Sequence, residues 1–199
     1  ADWDALLAVL CAYDDLRALG LPVIERACRF AESAQADDGG WDPGTGREDD
    51  RLFATGLLAG HFGKTRLARA SMIDAAGDYL AERFSPERVQ GFAWRAIAAF
   101  AAAFSNVPHE ASDAVLQWVG RELERGFRTH HFDAVRTARV LAYADAPSLP
   151  GGRLEGGEVA LAVVAEQAAD GGWLRLEDPS PEARVAQTLD ALTALLRFG

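Results

Sequence analysis

The sequence predicts an all-α fold, a set of helical hairpins stacked side by side around a shared axis. Three observations predict it. A short turn is written twice, as Gln35-Ala-Asp-Asp-Gly-Gly-Trp41 and as Gln167-Ala-Ala-Asp-Gly-Gly-Trp173. Apolar residues recur at helical spacing along the chain, and strand-like alternation is absent over any useful length. The two glutamines lie 132 residues apart (167 − 35), which holds three steps of about 44, a length in the range of paired-helix repeats.

The elements follow in order, at roughly residues 3–18, 22–36, 50–62, 66–84, 92–105, 112–127, 132–145, 157–168 and 182–198. In the first, Trp3, Leu6, Leu7, Leu10 and Tyr13 share a face, and Gly20-Leu21-Pro22 ends it. The second leads into the Gln35 turn. The third opens on Glu48-Asp49-Asp50. The fourth is followed by the polar stretch Ser85–Gly91 and by a more apolar helix in which Ile97, Phe100, Ala101 and Phe104 share a face. Asn106-Val107-Pro108 stops that helix. The next pair is divided at Arg128-Thr129-His130-His131, and Pro147-Ser148-Leu149-Pro150 stops its second member. The last pair carries the Gln167 turn. Ser180-Pro181-Glu182 then starts a helix well: Ser caps, Pro fits the first turn and Glu meets the dipole. In that helix Val185, Leu189, Leu192 and Leu196 share a face.

Each unit reads as a helix, a short polar turn and a more apolar helix. Asp4–Leu10 resembles Asp190–Leu196, so the first helix is a second-type member without its partner. One unit cannot bury both faces of its helices, whereas stacked units can, with the more apolar helices inside. The whole chain, residues 1–199, is expected to form a single domain of four to five hairpins.

Composition narrows the function. The chain has 199 residues and a net charge of −10, so it should repel phosphate backbones, and no nucleic-acid partner is expected. The longest apolar run, Ala96–Phe104, is too short to span a bilayer, and the N-terminal Ala1-Asp2-Trp3-Asp4 is acidic, unlike a secretory leader. A soluble, cytoplasmic protein is expected, or a domain of a longer one. Cys11 and Cys28 lack metal-ligand spacing and read as small buried apolar residues. His130-His131 reads as an exposed turn. Neither a phosphate-binding glycine loop nor a metal-binding cluster is recognisable, so no metal or cofactor is expected.

Q-x-x-x-G-x-W within a helix-pair repeat resembles the QW motif of squalene–hopene cyclases and related terpenoid cyclases, whose α/α toroid is shared by protein prenyltransferase β subunits. The resemblance implies a small or partial α/α toroid. It also implies structural roles for Gln35, Gly39, Trp41, Gln167, Gly171 and Trp173, with the amides bonding backbone at helix ends and the indoles stacking on them. The glycines suit the tight turn, positive φ included.

Cyclases of this family protonate an alkene with an Asp of a D-x-D-D motif. The matching place reads Arg47-Glu48-Asp49-Asp50. The resemblance puts Asp49 at the proton donor, with Glu48 and Asp50 beside it. Arg47 replaces the first Asp, and the same acids also suit the first turn of a helix. A carbocation is stabilised by ring faces, and Phe53, Phe92, Trp94 and Phe132 fall near the same rim. The zinc ligands of the prenyltransferase branch have no counterpart, since no Cys or His follows His131. Two readings remain. One is a cyclase acting on a polyprenyl substrate in a central apolar pocket. The other is a non-catalytic domain that binds an isoprenoid or serves protein interaction, its ring completed by a second copy or by other domains.

Overall fold

The computed structural model describes residues 3–174 and 180–199. Ala1 and Asp2, read above as part of an acidic N-terminal segment, lie outside the described residues. Within the described residues there are ten helices and no strand. They are α1 (Trp3–Asp15), α2 (Pro22–Ala34), α3 (Glu48–Gly63), α4 (Ala70–Arg83), α5 (Pro86–Val89), α6 (Trp94–Asn106), α7 (Ser112–Arg128), α8 (Ala134–Ala144), α9 (Gly156–Ala165) and α10 (Pro181–Phe198).

Burial separates the helices into two kinds. In α6 every residue from Ile97 to Phe104 is buried, and α3 and α8 are nearly as enclosed. By contrast α2 buries only Ile24, Cys28 and Ala31, one stripe of an otherwise polar helix. Similarly, α7 buries Val115, Leu116, Val119 and Leu123. Thus α3 packs on α1, α4 and α6; α6 packs on α7 and α8; and α8 packs on α9 and α10.

The closest of these contacts, α3 against α6, depends on missing side chains. Gly56, Gly60 and Gly63 face Ala99, Ala102 and Asn106. A Cβ at Gly56 would lie 2.5 Å from the Ala99 Cβ, and one at Gly60 would lie 2.7 Å from the Ala102 carbonyl. The small faces let the two backbones approach.

Several helix ends depart from the sequence expectation: α3 starts two residues earlier at Glu48, α2 ends two earlier at Ala34 and α9 three earlier at Ala165, and the larger changes are these. First, α1 stops at Asp15, not near residue 18, because Arg17 turns left-handed (φ 55°) and Ala18 N–H closes the end on the Tyr13 carbonyl at 2.7 Å. Second, α4 starts at Ala70, not at residue 66; the Thr65 hydroxyl holds Leu67 N–H in a turn instead. Third, Ser85–Gly91 contains a short extra helix, α5. Fourth, α6 and α8 begin two residues later than expected, at Trp94 and Ala134, so Phe92 and Phe132 precede their helices. Asp133 caps α8 by accepting from Arg136 N–H at 2.6 Å, and Ser180 caps α10 by accepting from Ala183 N–H at 3.2 Å.

The repeated turn folds twice in the same way. Gln35 Nε2 donates to the Gly39 carbonyl at 2.8 Å, and Gln167 Nε2 donates to that of Gly171 at 2.8 Å. The indole of Trp41 donates to Ala31 O at 2.8 Å and that of Trp173 to Val163 O at 2.7 Å, each ten residues upstream. Backbone N–H groups of the same tryptophans meet Thr55 and Thr188 on the following helix. Gly40 N–H and Gly172 N–H bond Asp38 and Asp170, which in turn pair with Arg51 and Arg184. Gly39 (φ 85°) and Gly171 (φ 87°) take the left-handed conformation that the turn needs. Each clamp therefore joins a helix to the turn after it and to the next helix.

All exposed large hydrophobic residues of the described chain lie in the terminal helices or beside them. They are Val9, Leu16, Leu21 and Phe30 at one end, and Leu161, Val164, Leu174, Val185, Leu189, Leu192 and Leu196 at the other. The last four correct an expectation. Their shared face is not in the core: it is 47% to 88% exposed, and α10 buries Gln187, Ala191 and Ala194 instead.

Candidate functional site

A concavity of about 960 Å³ opens where the buried helices start. Local sequence builds its rim. Before α3 the chain turns through Gly44 and Gly46, both at positive φ, and the acids Glu48, Asp49 and Asp50 fill the first turn, where the helix dipole favours them. Before α6, Gly91 and Phe92 are both left-handed (φ 67° and 64°), and Trp94 N–H returns to the Phe92 carbonyl at 2.8 Å. A left-handed Phe stores strain, and here the conformation places the ring at the mouth. Before α8, His130 is left-handed and Phe132 N–H bonds the Gly126 carbonyl at 3.1 Å.

These turns bring the predicted aromatic residues together. Phe53, Phe92, Trp94 and Phe132 all line the concavity. The rings of Phe53 and Trp94 lie 6.0 Å apart, and Phe92 meets Phe132 edge-on at 6.2 Å. His131, exposed as the sequence suggests, lies flat on Phe92 at 3.5 Å.

The acids of the mouth are differently placed. Asp49 lines the opening with a side chain 78% exposed, 3.9 Å from Arg88. Glu48 pairs with the other arm of Arg88 at 2.6 Å. Asp50, 16% exposed, is held by Arg95 at 2.8 Å and lies 3.9 Å from Arg47. The Arg95 guanidinium sits 4.4 Å over the Phe53 ring. The mouth is therefore aromatic and rich in arginine, with Arg136 adding a further cation from α8.

The floor is polar. Arg139 grips Asp15 with one nitrogen at 2.7 and 2.8 Å, reaches Asp190 at 3.6 Å and covers Tyr143 at 4.8 Å. Burial opposes charge on Arg139, but the groups around it, Tyr143 and Asp190 first, outweigh burial and raise its pKa. Burial pushes Tyr143 up, in spite of the Arg139 guanidinium beside it.

Behind the floor lies a polar cluster that no sequence motif announces. Asp14 accepts from Lys64 Nζ at 2.6 Å and lies 3.6 Å from Arg197. His61 Nδ1 stands 3.3 Å from Asp14 without hydrogen-bond alignment, and Nε2 meets Cys11 Sγ at 3.4 Å. Burial alone would raise Asp14, but His61 and Lys64 outweigh it and hold the carboxyl well below its ordinary range. Burial likewise opposes charge on His61, yet Asp14 and Cys11 raise its pKa. In Cys11, burial is overcome by His61 and Arg139, and the thiol is more acidic than usual. Lys64 is pulled down by burial in spite of Asp14. Cys11 is thus a partly exposed polar participant, not the buried apolar residue expected, whereas Cys28 is buried and pushed up by burial to about 11.

The signal that was open to reading is modest: Cys11, Asp14 and Asp15 fall on one face of α1. Gln35, Gly39, Trp41, Gln167, Gly171 and Trp173 lie in the clamps and do not line the concavity. Among the described residues no three His, Cys, Asp or Glu side chains form a group able to hold a metal ion, and no helix is long and apolar enough to cross a membrane. No family model, curated protein or solved structure matches the chain.

Proposed function

We propose that the chain is a small or partial α/α toroid whose concavity binds an amphipathic anion of the isoprenoid phosphate kind. The observation that supports this reading is the make-up of the mouth, where four aromatic rings stand among the guanidinium groups of Arg88, Arg95 and Arg136. Ring faces suit the double bonds and methyl groups of a prenyl chain. Guanidinium groups suit phosphate oxygens. A purely hydrocarbon ligand fits less well, because Arg139 and Asp190 in the floor would be left against it.

Titration of the full chain with farnesyl diphosphate and with farnesol, read by calorimetry, tests the proposal. The diphosphate should bind more tightly, and Arg95→Ala should weaken it about tenfold, the worth of one charge-assisted hydrogen bond. Equal affinity for the two compounds, or none for either, would remove it.

Acid-initiated cyclisation is the second reading, favoured by one observation: Asp49 shares its opening with the same four rings. It needs a neutral carboxylic acid shielded from water. The exposure of Asp49 and the grip of Arg95 on Asp50 weigh against it. Asp49→Asn separates the readings. A cyclase would lose turnover of a polyprenyl substrate, while a binding protein keeps its affinity within about twofold, the variant removing no cation.

A further inference from the structure

The two clamps share the bonds within the turn and differ on the side of α4. In the first, Gln35 Nε2 makes a second hydrogen bond, to Met72 O on α4 at 2.9 Å. The α4 helix lies directly across the turn. A Cβ on Gly39 would overlap the Ala75 carbonyl, and one on Gly40 would lie 2.7 Å from the Tyr79 ring. Arg83, one turn further along α4, covers that ring at 3.8 Å and reaches Asp38 at 3.5 Å, while Arg51 sits over the same ring at 5.0 Å. Ala75, Tyr79 and Arg83 thus form a small-x-x-x-aromatic-x-x-x-Arg row that seals the clamp.

The second clamp has the receiving groups and, among the described residues, no such helix. Among the described residues, only the Gln167 amide comes within 4.0 Å of a Cβ built on Gly171. Asp170 is exposed and pairs with Arg184, which is half-buried over Gly172 as Arg51 is over Gly40 in the first clamp. The neighbouring face of α10 agrees. Aligning Thr188 with Thr55 sets Val185, Leu189, Leu192 and Leu196 against Leu52, Gly56, Ala59 and Gly63. On α3 those positions are covered, Gly56 and Gly63 by α6, whereas on α10 they are exposed.

We infer that the edge formed by α9, the second clamp and α10 is a docking site for an amphipathic helix of a partner polypeptide, one carrying a small-x-x-x-aromatic-x-x-x-Arg row. The small residue passes over Gly171 and a first-turn carbonyl accepts from Gln167. The aromatic ring stacks on Arg184, and the arginine pairs with Asp170. The partner's remaining apolar surface covers the α10 stripe. The inference rests on the duplication of the clamp and is independent of what the concavity holds.

The chain supplies its own probe, since α4 is such a helix. A second copy of residues 66–85 is fused after Gly199 through a flexible linker of about 20 Gly and Ser residues, which spans roughly 25 Å and supplies a high local concentration. The fusion should raise the melting temperature of the full chain by about 2–4 °C or more. Ala75→Trp within the added copy should abolish the rise, and so should Asp170→Arg in the chain. Adding Arg83→Asp to the fused copy of the Asp170→Arg protein should restore it. An unchanged melting temperature overturns the inference, as does a rise that survives both Ala75→Trp and Asp170→Arg. Sedimentation showing a dimer that Asp170→Arg dissociates would assign the edge to a second copy and overturn it equally.

Discussion

Asp14→Ala is expected to destabilise the protein by about 3–5 kcal/mol, the cost of removing one partner from a buried ionic cluster. The carboxyl is buried between Lys64, His61 and Arg197, and its loss leaves like charges facing one another. The variant should also change how stability depends on pH. The folded pKa of His61 lies above its unfolded value near 6.5, so its contribution is fully present below about 6.5 and fades as pH rises through the folded value. The folded pKa of Asp14 is depressed from 3.8, so its contribution is present above that value and fades as pH falls through the folded one. Urea unfolding from pH 5 to 9 should therefore show a stability loss on the alkaline side that is flattened in Asp14→Ala. A variant within about 1 kcal/mol of the parent, with an unchanged pH profile, would mean that the cluster contributes little.

Gly60→Val is the second large effect, about 3 kcal/mol, at the upper part of the range for overpacking. Substituting a helical glycine by alanine ordinarily gains up to about 1 kcal/mol from helix propensity. At position 60 that gain is outweighed, because even one methyl would stand 2.7 Å from the Ala102 carbonyl and α6 cannot retreat without opening the core. Gly157 in α9 is the internal control: no described residue lies within 4 Å of its built Cβ, so Gly157→Ala should stabilise by up to about 1 kcal/mol. Opposite shifts of the urea midpoint for Gly60→Val and Gly157→Ala are the expected outcome. A Gly60→Val protein that melts with the parent would show that the close approach of α3 and α6 is not required.

These two sites mark what a sequence reader can and cannot see. Helix periodicity and the Gln-Gly-Trp turns were legible because they are local, with every defining residue within about two helical turns. The rim of the concavity was legible for the same reason, since Phe53, Phe92, Trp94 and Phe132 each sit near a helix start. The polar cluster was not, because Asp14 meets Lys64 across 50 residues and Asp15 meets Arg139 across 124. Exposure was also beyond reach. Periodicity marks the Val185–Leu196 face as apolar but is silent on whether anything covers it, and it places Asp49 at a helix start without telling how open that start is. Arg17 hid the end of α1, since a left-handed arginine carries none of the signal that glycine would.

The junction of the first and last helices has a consequence for the order in which the chain becomes native. Arg197 of α10 donates to the Asp14 carbonyl of α1 at 2.9 Å, and Arg139 of α8 grips Asp15 of the same helix. Contacts so distant along the chain carry a large loop-closure cost before they form, so the polar cluster is expected to close late.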